Sequence, residues 1–189
     1  MTFLPTLKNQ NLFGKTVLDK TVLVRVDLNV PFHNGVITDT TRLLAIKETV
    51  TYLLDHQAKV LLLSHFGRPP ADNDPSRWDL DYSLKILATP LEEILGSPVR
   101  FVNHFVGSAV KQALADLPPK TVLLLENIRF SPGEEENQST LAAQLAENAD
   151  LYVNEAFSCS HRAHASIEAI THCLPNVAGF LILKKRLRI

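Results

Sequence analysis

The sequence predicts a doubly wound α/β fold, in which a mainly parallel sheet lies between two layers of helices. Short runs rich in Val and Leu recur along the chain, mostly without alternating polar residues. Such runs are typical of strands buried on both faces of a parallel sheet. Segments with apolar residues at helical spacing separate them, so strands and helices alternate. This alternation predicts right-handed crossovers between parallel strands.

The predicted strands and helices follow from these two patterns. The strands are Thr21–Val26, Lys59–Leu63, Val99–Val102, Thr121–Leu125 and Leu151–Val153. The helices are Thr41–His56, Ser83–Leu95, Ser108–Leu117 and Thr140–Asn148, with Ala165–Cys173 as a further short helix. We expect Pro90 to kink or restart the second helix with Thr89 as its new N-cap, and Gly96 to end it.

Three polar segments lie between these elements. Pro31–Asp39 interrupts the alternation and contains Asn34-Gly35, which is a hairpin turn signal. Residues 69–81 are polar and contain proline, so we expect an exposed loop. We interpret the acidic run Glu134–Glu136 as a solvated loop that enters a helix N-terminus.

The composition is that of an ordinary globular chain. Of its 189 residues, 46% are hydrophobic and 21% charged, and the net charge is −1. These values fit one domain and give no bulk-charge argument for nucleic acid or a membrane surface. No apolar run approaches the ~20 residues that span a bilayer, and the N-terminus does not resemble a signal peptide. Two unpatterned cysteines fit a reducing cytosol, so we expect a cytoplasmic protein, and a monomer.

Polar side chains follow four of the predicted strands at the points where those strands end. Ligands of doubly wound sheets bind at this edge of the sheet. We call these residues the rim: Asp27, Asn29 and Pro31; Ser64, His65 and Arg68; Glu126, Asn127 and Arg129; Asn154, Glu155, His161, Arg162 and His164; and Arg42, which opens the helix after the first strand.

The rim residues together indicate a small, multiply charged anion. A single arginine after a strand is most often a solvated surface residue, but here cations recur after three strands. Guanidinium groups bind phosphate and carboxylate through two parallel hydrogen bonds. Asp27 and Asn29 add acceptors, which suit a ligand hydroxyl or an orienting role toward the arginines. The mixture predicts an acid that carries phosphate, carboxylate and hydroxyl groups.

Two other interpretations of this region stay open. The residues Cys159, His161, His164, His172 and Cys173 could bind a metal, although their spacing matches no zinc pattern and Arg162 would repel a cation. Cys159 beside a histidine could be a nucleophile, although ordinary buried thiols are far commoner. The sequence predicts no metal for these reasons. The seven glycines form no nucleotide-phosphate motif, so the sequence also predicts no nucleotide cofactor bound through a recognisable motif.

Five motifs of the rim resemble the N-terminal domain of phosphoglycerate kinases. They are VRVDLNVP (24–31), TDTTR ending at Arg42, LSHFGRP (63–69), LLENIRF (124–130) and VNEAFSCSHRAHAS (153–166). They occur in the family's order and at about its spacing, from about Thr21 to Leu183. The resemblance implies a Rossmann-like domain that binds 3-phosphoglycerate or 1,3-bisphosphoglycerate. Enzymes of this family transfer a phosphoryl group between 1,3-bisphosphoglycerate and ADP in glycolysis, and they use Mg-ADP or Mg-ATP.

The resemblance also implies a role for individual residues. Asp27 and Asn29 would contact the glycerate end of the substrate. The basic patch would consist of Arg42, His65, Arg68, Arg129 and Arg162. Arg42 would in addition be catalytic, stabilising the phosphoryl group in transfer.

The sequence departs from the family pattern in three places. Asn154-Glu155-Ala156-Phe157 has Glu where the family usually has Asp, and Ser158-Cys159-Ser160 replaces the common Gly-Thr-Ala. The chain ends in the basic tail KKRLRI (184–189), which we interpret as a truncated or shifted end rather than a membrane-binding tail. We expect residues 1–189 to be the phosphoglycerate-binding domain without the nucleotide-binding domain, and to show little turnover alone. The alternative is a non-catalytic module or remnant that captures a small phosphorylated acid.

Overall fold

The computed structural model describes residues 17–33 and 36–182, and a six-stranded sheet lies at their centre. The strands are β1 (Thr21–Arg25), β2 (Phe32–His33), β3 (Val36–Ile37), β4 (Lys59–Leu63), β5 (Val99–Phe101), β6 (Val122–Leu124), β7 (Leu151–Asn154) and β8 (Asn176–Ala178). The sheet order is β5-β6-β4-β1-β7-β8, and every neighbouring pair is parallel. The predicted doubly wound α/β fold is confirmed.

Helices cover both faces of this sheet. They are α1 (Thr41–Ala45), α2 (Lys47–Asp55), α3 (Ala88–Leu95), α4 (Ser108–Ala115), α5 (Pro132–Glu135) and α6 (Ser139–Ala146). Short 3₁₀ segments occupy Pro75–Arg77, Leu80–Tyr82, Leu84–Leu87, Ile128–Phe130, Phe157–Cys159 and Ala169–His172.

The apolar core is divided by the sheet into two parts, because successive side chains of a strand point to opposite faces. Val22 and Val24 of β1 pack with the apolar residues of α1, α2 and α3. Leu23 packs on the other face with α4 and α6. Both faces of the central strands are therefore buried, which explains why these strands are apolar throughout and confirms the predicted three layers.

Two predicted helices have different boundaries in the structure. The expected helix over Thr41–His56 is two helices, and Ile46 separates them with ψ −12°. The predicted helix Ser83–Leu95 does restart near Pro90, because the 3₁₀ segment Leu84–Leu87 precedes α3. The restart is at Ala88, so Pro90 lies in the first turn of α3, where the backbone nitrogen makes no intrahelical hydrogen bond. Thr89 is therefore inside the helix rather than its N-cap. Gly96 ends α3 in the left-handed conformation with φ 67°, as predicted.

Two further elements differ from the prediction. β8 is missing from the predicted strands because its sequence, NVA, contains no apolar run, and only its pairing with β7 identifies it. The predicted helix over Ala165–Cys173 contains only the 3₁₀ segment Ala169–His172.

Parts of two predicted segments lie outside the described residues. β2 and β3 form the expected antiparallel hairpin, but its turn, Asn34-Gly35, is not among the described residues. The basic tail KKRLRI is also outside them. None of the helices in 17–33 and 36–182 combines the length and hydropathy that would cross a bilayer.

Candidate functional site: an arginine-rich rim at the carboxyl edge of the sheet

Ser64 holds the loops after β1 and β4 together. Its Oγ accepts a hydrogen bond from the Leu28 N–H at 2.9 Å and donates to the Val26 carbonyl at 2.9 Å. The Ile128 N–H donates to the Ser64 carbonyl at 3.1 Å, which adds the loop after β6. Through its hydroxyl and its backbone carbonyl, Ser64 therefore fixes three rim loops relative to one another.

Asp27 organises one side of the rim. Nη1 of Arg42 donates to both of its carboxylate oxygens at 2.8 Å. Its carboxylate also accepts from the Asn29 N–H at 3.1 Å and from the Ser158 hydroxyl. The loops after β1 and β7 and the start of α1 therefore meet at one carboxylate. The contact with Arg42 is compatible with the orienting role, one of the two roles that the sequence left open for Asp27.

Gly67 connects Asn29 to Arg129 through its backbone. Its N–H donates to Asn29 Oδ1 at 2.8 Å, and its carbonyl accepts from Arg129 Nη1 at 2.6 Å. The residue has φ +59°, and a Cβ atom there would lie 2.4 Å from Cδ1 of Tyr82. Only glycine fits this turn, so the local backbone sets the positions of both polar side chains.

His65 is neutral, although the sequence places it among the basic residues. Its side chain is only 4% exposed, and its Nδ1 lies 3.2 Å from Nη2 of Arg25. Burial, followed by the positive charges of Arg25, Arg129, Arg162 and Arg42, lowers the pKa of His65 to about 2. His65 can therefore give the rim hydrogen bonds but not a positive charge.

The other side of the rim is an open cleft of about 520 Å³, which we call the arginine cleft. It is lined by Arg68, Pro69, Ala71, Arg129, Ser131, Pro132, Glu135, Glu136 and Arg162. Arg68 is exposed and Arg162 is half-buried, whereas Arg129 is buried and forms a 3.4 Å ion pair with Glu135. Three guanidinium groups from three different loops therefore converge on one cleft.

The structure brings together most of the residues singled out in the sequence. Arg42 belongs to the Asp27 side and does not line the arginine cleft. His65 is close enough to both sides that the charges of Arg129, Arg162 and Arg42 all lower its pKa. His161 is exposed, whereas His164 lies 3.7 Å from the buried carboxylate of Glu134.

A charged pair that the sequence pattern did not predict lies beneath the rim. Arg25 is buried at the end of β1, donates through Nε to Ser166 Oγ at 2.8 Å, and lies 3.9 Å from Glu134. Glu134 accepts from the Ser166 N–H and hydroxyl at 2.9 and 2.6 Å. The interpretation of Glu134 as part of a solvated run is therefore wrong: its charge is satisfied inside the protein. The available signal was Arg25 itself, a lone charge inside an apolar strand.

The cysteines and histidines of 159–173, which the sequence left open as an alternative metal site, have other partners. His172 lies 2.8 Å from Glu168, and His164 lies 3.7 Å from Glu134. Among the described residues, a different group has three metal-ligand atoms within 4.8 Å of one another: Asp27, His65 and Cys159. This group does not suit a cation, because Arg42 binds the carboxylate of Asp27 and Arg25 contacts the imidazole of His65. The surrounding guanidinium groups favour an anion.

The fold and this geometry define a class of protein: a doubly wound α/β protein with an arginine-rich cleft at the carboxyl ends of its strands. A family model described as phosphoglycerate kinase matches residues 14–188. The chain therefore belongs to the phosphoglycerate kinase family, which confirms the resemblance.

Individual relatives agree with this assignment. A phosphoglycerate kinase of Moorella thermoacetica is 50% identical over 167 residues, which cover 88% of this chain and 41% of the relative. A phosphoglycerate kinase of Wolbachia from Drosophila simulans is 45% identical over 179 residues, which cover 95% of this chain and 42% of the relative. The solved structure of phosphoglycerate kinase from Coxiella burnetii superposes with a TM-score of 0.81 at 32% identity, covering 97% of this chain and 43% of that one. The chain thus spans about two fifths of the length of these relatives.

Proposed function

We propose that the rim binds 3-phosphoglycerate or 1,3-bisphosphoglycerate, as the substrate half of a phosphoryl transfer between 1,3-bisphosphoglycerate and ADP. The observation that carries the proposal is the arginine cleft, where Arg68, Arg129 and Arg162 converge beside the Asp27–Asn29 turn. Bidentate guanidinium donors suit a phosphate or a carboxylate, and the neighbouring acceptors suit a hydroxyl. Such a ligand carries all three groups.

The two sides of the rim have different roles in this proposal. Arg68, Arg129 and Arg162 hold the charged groups of the ligand, and His65 contributes hydrogen bonds as a neutral imidazole. Asp27 and Asn29 orient Arg42 and the glycerate end. Arg42 is half-exposed, so its guanidinium can turn from Asp27 toward a phosphoryl group in transfer, where positive charge lowers the barrier.

The nucleotide of this reaction would be Mg-ADP or Mg-ATP. The rim itself suits an anion rather than Mg²⁺, because its cation-binding atoms are already engaged by guanidinium groups. We therefore assign no residue of this chain to the nucleotide or its metal. Low turnover by residues 1–189 alone, a monomeric state and a cytoplasmic location stay predictions.

Titration calorimetry with 3-phosphoglycerate tests the proposal. We expect binding that weakens with salt, and an affinity lower by about 10- to 100-fold in Arg68→Ala, because a hydrogen bond to a charged group contributes about 1.5–3 kcal/mol. Arg77→Ala is the matched control, since the Arg77 side chain is 70% exposed and forms ion pairs with Asp72 and Asp74, away from the arginine cleft. A folded wild-type chain that does not bind, or equal losses in both variants, would refute the proposal.

A coupled assay with 1,3-bisphosphoglycerate and Mg-ADP separates catalysis from binding. The 189-residue chain should bind the ligand but turn it over slowly, because the proximity contribution of a bound nucleotide, about 7–11 kcal/mol, would be missing. Rapid turnover by this chain alone would show that its residues also hold the nucleotide.

A further inference from the structure

The arginine cleft contains two carboxylates that the proposed function does not use, Glu135 and Glu136. Oε1 of Glu135 lies 3.4 Å from Nε of Arg129. Glu136 instead accepts a hydrogen bond from Nε2 of Gln138 at 2.6 Å. These neighbouring residues have the same charge, but only Glu135 has an ion pair with a cleft arginine among the described residues.

Glu135 is held in this position by the residue before it. The Glu134 carboxylate accepts from the Ser166 N–H and hydroxyl at 2.9 and 2.6 Å, and its backbone carbonyl accepts from the Ala165 N–H at 2.9 Å. These hydrogen bonds fix α5, which is a single turn, on the core. The side chain of Glu135 is 63% exposed, yet its backbone is anchored beside Arg129.

The position of Glu135 matters because Arg129 has one edge left for a ligand. Nη1 of Arg129 donates to the Gly67 carbonyl at 2.6 Å, which keeps that nitrogen on the backbone. A bidentate oxyanion would use the remaining edge, formed by Nε and Nη2. Glu135 already lies at Nε. Burial lowers the pKa of Arg129, and the Glu135 charge acts against this, so the carboxylate stabilises the guanidinium while the cleft is empty.

We propose that Glu135 is an internal anion that occupies the ligand-binding edge of Arg129 in the empty protein and is displaced when the ligand binds. This inference rests on the proposed binding of phosphoglycerate in the cleft. Because an exposed carboxylate in an ion pair is held weakly, a phosphorylated acid that also reaches Arg68 and Arg162 replaces it. Glu135 thus keeps Arg129 aligned between ligands and lowers the affinity, which favours release.

Two single substitutions test this proposal with matched charge. Glu135→Gln and Glu136→Gln remove the same charge from adjacent exposed positions, and calorimetry with 3-phosphoglycerate at 0.15 M salt compares them with the wild type. We expect Glu135→Gln to bind roughly two- to fivefold more tightly, the range of one exposed ion pair, and Glu136→Gln to gain less than about half of that. Equal gains would show a general field effect, and weaker binding by Glu135→Gln would show that Glu135 assists the ligand; either result overturns the proposal.

The Nε–Hε resonance of Arg129 reports on displacement directly. In the free proteins this resonance should differ between the wild type and Glu135→Gln, and in the ligand-bound proteins it should coincide. A difference that persists at saturation means that Glu135 stays on Arg129, and refutes the proposal. Failure of the proposed function is recognised separately, since none of the three proteins, including Glu136→Gln, would then bind 3-phosphoglycerate.

Discussion

Gly67→Ala is expected to weaken both the fold and the rim, because the new methyl group has no space. Gly67 has φ +59°, and its Cβ would lie 2.4 Å from Cδ1 and 2.6 Å from Cε1 of Tyr82. A non-glycine residue in the left-handed region costs about 1–2 kcal/mol. Overpacking against a ring typically adds about 1–3 kcal/mol. The free energy of unfolding should therefore fall by roughly 2–5 kcal/mol, measured by urea denaturation.

Gly96→Ala is the matched control for this prediction. Gly96 also has positive φ, 67°, but a Cβ there would meet no heavy atom within 4 Å. It should therefore lose only the conformational part, about 1–2 kcal/mol. Equal losses at Gly67 and Gly96 would refute the argument from close approach to Tyr82.

Gly67→Ala should also lower the affinity for 3-phosphoglycerate. The backbone of Gly67 accepts from Arg129 and donates to Asn29, so a shift of this turn displaces two rim side chains. We expect about a tenfold loss, equivalent to about 1.4 kcal/mol. Adding Tyr82→Ala should restore space for the methyl group and recover part of the affinity. Unchanged binding by a folded Gly67→Ala protein would show that the turn does not position the rim.

Three further predictions concern buried charges. Arg25→Ala leaves the buried Glu134 without this cation, so the free energy of unfolding in urea should fall by about 3–5 kcal/mol. Lys111→Ala is the control: it breaks an exposed ion pair with Glu147, and the free energy of unfolding should fall by less than about 1 kcal/mol. The pKa of His65 is about 2, below its ordinary 6.5, so the imidazole should show no titration by NMR between pH 5 and 8. Because the unfolded chain binds a proton at His65 at higher pH than the folded protein does, the contribution of His65 to stability should be lost as pH falls below about 6.5. Burial raises the pKa of Glu155 above its ordinary 4.5, so its contribution to stability should decrease as pH rises above that value. Glu155→Gln should remove this dependence of the free energy of unfolding on pH. The same dependence in the variant as in the wild type would contradict its assignment to Glu155.

Glu155 also shows how a departure from the family pattern is accommodated. Its Oε1 accepts from the Thr49 hydroxyl and from the Leu181 N–H at 3.0 Å, and the carboxylate lies directly against Gly179. The longer side chain thus reaches α2 and the segment after β8. The sequence identifies the substitution, but these partners are distant along the chain and become visible only when the chain is folded.

The fold class and most rim positions could be predicted because they depend on local patterns. Strands buried on both faces are apolar throughout, and parallel strands connected by helices bring their carboxyl ends to one edge. The residues after each strand, such as Asp27, His65, Arg129 and Arg162, therefore fall on the same edge whatever the details of packing.

The sequence by itself determined the layers, the sheet edge that carries the site, and the chemistry of the side chains placed there. Only the tertiary structure decided their states. It paired Arg25 with Glu134 beneath the rim, made His65 neutral among guanidinium groups, and placed Glu135 on the free edge of Arg129. The physical reason is that burial and charge act through space, between residues that no local pattern relates.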